Sequence, residues 1–172
     1  IWAIGAGMIA LSALIWLGPR TVLAIGVLII AGHDLLDPIR SASLGGAAPL
    51  WGLAHEAGLF RIAGRETFVA YPALPWIGIM ALGYGLGGAF LKPEAARRRL
   101  LLWLGLAMLA GFVMLRSINV YGDPAPWSGQ DTMAKTIMAF LRVSKYPPSL
   151  IYDLLTLGVA FCLLAWFERL KG

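Results

Sequence analysis

The chain has 172 residues, of which 59% are hydrophobic and 13% charged, and its mean hydropathy is +0.77. A soluble domain needs more polar surface than that, so the class is an integral membrane protein. The formal net charge of +5 would suggest nucleic acid in a soluble protein, but here it reads as loop charge that fixes topology and meets anionic headgroups of the lipid bilayer, and no nucleic-acid partner is expected.

In chain order, residues 1–17 are uncharged and form a first expected span, broken by Gly18-Pro19-Arg20. A second span covers residues 21–39 and contains His33, Asp34 and Asp37. Residues 40–66 form a polar, glycine-bearing loop in which WGLAHEAGLFRIAG is a candidate interfacial helix. The third span, 67–91, has 25 residues without a charge, enough to cross the ~30 Å hydrocarbon core with tilt to spare. Tyr71, Pro72, Pro75 and Trp76 suit its interfacial end, and two tracks of small residues (Ala81, Gly85, Ala89 and Gly83, Gly87) suit close packing in lipid.

Lys92, Arg97, Arg98 and Arg99 follow, then a fourth span over 100–115 ending at Arg116. The loop SINVYGDPAPWSGQ is dense in Pro and Gly. Asp131 is the expected cap of an amphipathic helix, DTMAKTIMAFLRV, lying on the membrane rather than across it. Pro147-Pro148 opens a fifth span, 149–167. The expected architecture is a single all-α transmembrane domain over 1–172: a bundle of five spanning helices with one or two interfacial ones.

The basic residues orient it. With 92–99 and the C-terminus cytoplasmic, loops 40–66 and 117–147 face out, and each side then holds seven Lys or Arg. The tie is broken by loop length, because the inner seven sit in short segments and short loops set orientation. Cys162 is the one cysteine and lies in an apolar stretch, so no disulfide framework exists. No internal repeat suggests a transporter built from inverted halves.

Ionisable groups within spans are costly, which makes each a functional candidate. His33 and Asp37 are four apart on the second span and share a face, so the carboxylate would hold the imidazole in one tautomer as a general base, or the pair would tie helices together. Arg116 and Asp153 are expected as a buried pair. All four are expected to line a polar pocket in the outer half of the bundle. His55 and Glu56 read as solvated. No HExxH, paired CxxC, GxSxG, P-loop or dinucleotide motif is present, and no metal site is expected. The Arg97–Arg99 cluster reads first as a topology anchor, and second as a contact for a coenzyme phosphate.

YPALPWIGIMALGYGLG (71–87), RSINVYGDPAPW (116–127) and KYPPSLIYDLLTLG (145–158) resemble successive signatures of bacterial membrane proteins related to heparan-alpha-glucosaminide N-acetyltransferase. WAIGAGMIALSALIWL (2–17) and GHDLLD (32–37) resemble the two helices before them, with Asp34 standing where Asn is expected in many relatives. The resemblance implies the C-terminal part of a longer acyltransferase of the bacterial inner membrane, which uses cytosolic acetyl-CoA to acetylate an amino sugar on the far side. It places the catalytic histidine in an earlier helix, upstream of this chain, so that role is not carried over to His33. Tyr121, Asp123, Trp127, Lys145 and Tyr146 would shape the acceptor entrance, since indole rings stack on sugar faces and a carboxylate accepts hydroxyl or ammonium hydrogens. With equal weight, NVYGDP and KYPPS are rigid turns that seat the fifth span. The alternative function is a non-enzymatic membrane module, a permease-like carrier or scaffold subunit. A homo-oligomer is among the expected assemblies.

Overall fold

The computed structural model describes residues 2–170; Ile1, at the head of the first expected span, and Lys171 and Gly172, in the expected cytoplasmic tail, lie outside the described residues. The elements are α1 (Trp2–Leu14), α2 (Pro19–Gly32), α3 (Ala48–Ala54), β1 (Gly58–Ile62), β2 (Arg65–Val69), α4 (Ala73–Leu86), α5 (Glu94–Ile118), α6 (Met133–Leu141) and α7 (Leu150–Arg169). The fold is all-α apart from one short hairpin.

Four helical stretches are long and apolar enough to cross a membrane: Pro19–Leu36, Ala73–Leu91, Glu94–Ile118 and Leu150–Arg169. The first apolar segment, Trp2–Leu17, is shorter. The chain divides into two compact units, Ile1–Leu86 with Lys145–Pro148, and Gly87–Ser144 with Ser149–Gly172.

In the first unit Gly18 takes φ +78 between α1 and α2, and Pro19 starts α2 where its missing N–H costs nothing. α2 and α4 run antiparallel in close contact. A Cβ at Gly26 would come within 2.5 Å of the Leu82 nitrogen, and one at Gly85 within 2.5 Å of the Leu23 Cβ. Such backbone approach is how helices gain dispersion contacts where lipid removes the hydrophobic drive. Of the two small-residue tracks, Ala81 is fully buried and Gly85 meets Leu23, whereas Gly83 and Gly87 face open space.

The region before α4 departs from expectation. Residues 67–69 belong to β2, which pairs with β1 from Gly58↔Val69 to Ile62↔Arg65, so the helix starts at Ala73 rather than at residue 67. The two-residue turn is Ala63-Gly64, both with positive φ, the twist that a tight hairpin requires. Thr67, Phe68 and Val69 are β-branched or aromatic and suit a strand. The interfacial helix expected over WGLAHEAGLFRIAG is therefore only its beginning, the end of α3.

In the second unit α5 and α7 pack antiparallel: Gly105 meets Gly158 and Cys162, and Gly111 meets Leu154. α5 begins at Glu94 and carries the basic cluster within its first turns. α6 is capped by Thr132, whose hydroxyl accepts from the Lys135 N–H, and not by Asp131, which instead pairs with Lys135 Nζ at 2.8 Å. Ser149 caps α7 by accepting from the Tyr152 N–H.

Candidate functional site

At the end of α2 the helix tightens into a 3-10 turn over His33–Leu36, and Asp37 donates its N–H to the Asp34 carbonyl at 3.2 Å. Pro38 follows and bars continuation. The tightening matters for chemistry. Three residues per turn carry position i+4 about 120° past position i, so His33 and Asp37 no longer share a face. The His33–Asp37 pairing expected from the sequence is replaced by two others. His33 Nδ1 lies 3.3 Å from Asp34 Oδ1, and Asp37 Oδ1 lies 3.1 Å from His55 Nε2.

His55, expected to be solvated, is buried. It stands at the C-terminal end of α3, four residues after Trp51, and the two rings are 5.2 Å apart. Trp51 Nε1 donates to the Ile39 carbonyl at 3.0 Å, and Glu56 accepts from the Ser41 N–H at 2.7 Å. These bonds fasten α3 to the chain leaving α2 and bring His55 edge-on to His33, with ring centroids 5.7 Å apart. His33, Asp34 and His55 are buried and Asp37 is partly exposed, and burying ionisable groups together is expensive unless they are paired, as they are here.

In the tautomer that carries its proton on Nε2, the His55 ring donates to Asp37 and presents Nδ1 as a lone pair. That nitrogen and both ring nitrogens of His33 are buried without a hydrogen bond, and the Pro148 carbonyl is the main-chain acceptor facing His33. An imidazole backed by a carboxylate, with a lone pair on its other nitrogen, is a competent proton acceptor. His33 also lines an open, otherwise apolar groove of about 390 Å³ with Ile29, Gly32, Leu36 and Leu74.

In the same unit Tyr71 and Tyr146 meet edge-to-face, with centroids 5.0 Å apart and hydroxyls at 3.4 Å, and Lys145 Nζ lies 5.1 Å from the Tyr146 ring centre. Both phenols are solvent-accessible. The hydrogen bond from Tyr71 holds Tyr146 below the usual tyrosine range, with Lys145 adding to it, and the same bond pushes Tyr71 up.

In the second unit Arg116 is fully buried near the end of α5. Its expected partner was Asp153, yet the guanidinium donates to main-chain carbonyls: Phe140 at 2.9 Å, Ala139 and Ala125 at 3.2 Å each, and Arg142. Three of these carbonyls end α6, where a cation offsets the helix dipole and satisfies orphan acceptors. Asp153 is buried in the first turn of α7.

Asp123 accepts from the Ala125 and Ser144 N–H groups, both at 2.8 Å, and from the Ser144 and Ser149 hydroxyls. A carboxylate so saturated is a seat for the turn and the α7 cap, which favours the rigid-turn reading for this residue. Trp127 Nε1 donates to the Arg116 carbonyl at 2.7 Å, and Asn119 bridges both main-chain groups of Trp127. Trp127, Arg116, Gln130, Arg142 and Ser144 line a cleft of about 490 Å³. Tyr121 is half-buried on the same loop.

His33, Asp37, Lys145 and Tyr146 thus belong to the first unit, and Arg116, Tyr121, Asp123, Trp127 and Asp153 to the second. Among the described residues, no group of three or more His, Cys, Asp or Glu is placed to hold a metal ion. No protein-family model, curated protein or solved structure matches the chain.

Proposed function

We propose that the chain is part of an integral membrane acyltransferase of the bacterial inner membrane, taking acetyl-CoA as donor and an amino sugar or similar nucleophile as acceptor. The observation that supports this reading is the buried pair of imidazoles, one of them oriented by Asp37 with a free lone pair. On the outer side His55 receives a proton from the acceptor as its nucleophile attacks the acetyl carbonyl and the bond from that carbonyl to its carrier breaks, coenzyme A leaving as the thiol on the cytoplasmic side. His33 lines the groove beside His55. The lipid-crossing layout is five spans with 92–99 cytoplasmic and loops 40–66 and 117–147 outside.

The test is acetyl transfer by the full-length protein in nanodiscs, with His55→Gln and Asp37→Asn compared with wild type. Loss of turnover with an intact melting profile is the expected result; unchanged turnover in both variants would exclude the proton-acceptor role. A stabilisation of the wild-type protein by acetyl-CoA is also expected, since a ligand of the folded state raises its apparent stability. A melting temperature indifferent to acetyl-CoA would sink the transferase reading and leave a carrier or scaffold.

A further inference from the structure

Along α5, Ala96, Arg99, Leu100 and Trp103 fall at positions i, i+3, i+4 and i+7 and share one face. With Lys92 they line an open groove of about 340 Å³. Along the helix its head end carries the cations Lys92 and Arg99, and its far end the apolar Leu100 and Trp103. The neighbouring arginine shapes it. Arg97 pairs with Glu168 of α7 and donates to the Phe90 and Lys92 carbonyls, at 3.4 and 3.3 Å, so the turn that carries Lys92 is pinned against α5.

Arg97 is thereby neutralised, whereas Lys92 and Arg99 are exposed and, among the described residues, form no ion pair. The positive end of the α5 dipole adds to their field, against which stands Glu94 in the first turn. Trp103 is 66% exposed. Indole at that level of a spanning helix belongs at a lipid interface.

We propose that this groove binds one phospholipid with a net negative headgroup: the phosphate between Lys92 and Arg99, the glycerol level at Leu100, and the start of a chain along Trp103. Charge complementarity selects the headgroup, and the apolar lower half selects a lipid over a free coenzyme phosphate, which would gain nothing from Leu100 or Trp103. This site is independent of the His33–His55 cluster and of the transfer reaction.

The experiment places the full-length protein in phosphatidylcholine nanodiscs doped with phosphatidylglycerol or phosphatidylcholine brominated on the acyl chains. Quenching of tryptophan emission is read, with Trp103→Phe isolating the Trp103 part. Brominated phosphatidylglycerol should quench Trp103 several-fold more than brominated phosphatidylcholine at equal mole fraction. Lys92→Gln and Arg99→Gln should each weaken that preference roughly fivefold, the effect of one basic residue at an anionic surface. Both side chains are exposed, so helicity should stay unchanged, which circular dichroism checks. Equal quenching by the two lipids, or a preference that survives the double substitution, would overturn the proposal. Displacement of the lipid by soluble coenzyme A would overturn it too, in favour of a coenzyme phosphate.

Discussion

His55 Nε2 and Asp37 Oδ1 lie 3.1 Å apart across eighteen residues of chain, joining the end of α3 to the turn that closes α2. The imidazole is buried, so its N–H has no water to fall back on when the carboxylate is removed. Asp37→Ala should therefore cost about 1–3 kcal/mol, the desolvation penalty of an orphaned buried donor. Asp37→Asn keeps an acceptor oxygen and should cost less than Ala. Thermal unfolding in detergent micelles ranks the two, and equal melting of wild type and Asp37→Ala would show that the bond adds nothing.

Arg116 holds the α6 terminus through four of its five N–H donors. Lysine offers a compact ammonium in place of this planar fork, so Arg116→Lys is not conservative here. It should cost about 3–5 kcal/mol, as for breaking one partner of a buried charged contact. Hydrogen exchange should rise first in residues 133–142, since the carbonyls lost are those of Ala139, Phe140 and Arg142. The packing of Phe140 against Phe112 and Trp127, with centroids 5.6 and 5.2 Å apart, limits how far α6 can detach. Unaltered exchange there in Arg116→Lys would disprove the clamp.

The spanning helices were legible in the sequence because their signal is one of composition: long runs without charge survive any error at their ends. The cluster at the end of α2 was legible only as a list of residues. The rule that pairs i with i+4 assumes a regular helix, and a 3-10 turn at His33 shifts Asp37 to His55 instead. His55 looked solvated because it falls with Glu56 in the polar loop 40–66, while Trp51 four residues earlier was a hint of a buried face. Only the last three residues of the hairpin fall within the uncharged run, and Thr67, Phe68 and Val69 carry no charge to mark where the span begins. The hairpin turn uses Ala63-Gly64, which lacks the Asn-Gly signature. Arg116 pointed to a carboxylate by charge alone, but carbonyl acceptors leave no mark in a sequence.

Gly105 sets the approach of α5 and α7. A Cβ there would come within 2.6 Å of Cys162 Sγ and 2.8 Å of the Gly158 carbonyl oxygen, so the two backbones must part. Gly105→Val should destabilise the second unit by roughly 1–3 kcal/mol, the usual range for overpacking. Gly111→Ala is the control on the same helix. Its added methyl would sit 3.6 Å from Leu154, an ordinary contact, and helix propensity alone favours alanine by about 1 kcal/mol. If Gly105→Val and Gly111→Ala melt alike, close approach at Gly105 is not what holds the pair.

Tyr146 and Tyr71 titrate in opposite senses, and the order can be read directly. A hydrogen bond given by Tyr71 to an ionised Tyr146 oxygen favours the Tyr146 phenolate, while losing that bond opposes ionisation of Tyr71 itself. For Tyr146 the folded pKa lies below the unfolded one. Its contribution to stability is present above the ordinary tyrosine value and lost as pH falls through the folded pKa. For Tyr71 the sign is reversed: the contribution is present below the ordinary value and lost as pH rises through the raised pKa. The two offset each other, so phenolate absorbance rather than melting is the observable. Tyr146→Phe should abolish the earliest phenolate step and return Tyr71 toward the ordinary range. Tyr71→Phe should move the Tyr146 step upward while leaving the smaller depression due to Lys145, which Lys145→Gln in the same background then removes. A first phenolate step unchanged by Tyr146→Phe would assign it to one of the other three tyrosines, Tyr84, Tyr121 or Tyr152, and would show that the edge-to-face pair does not share its proton.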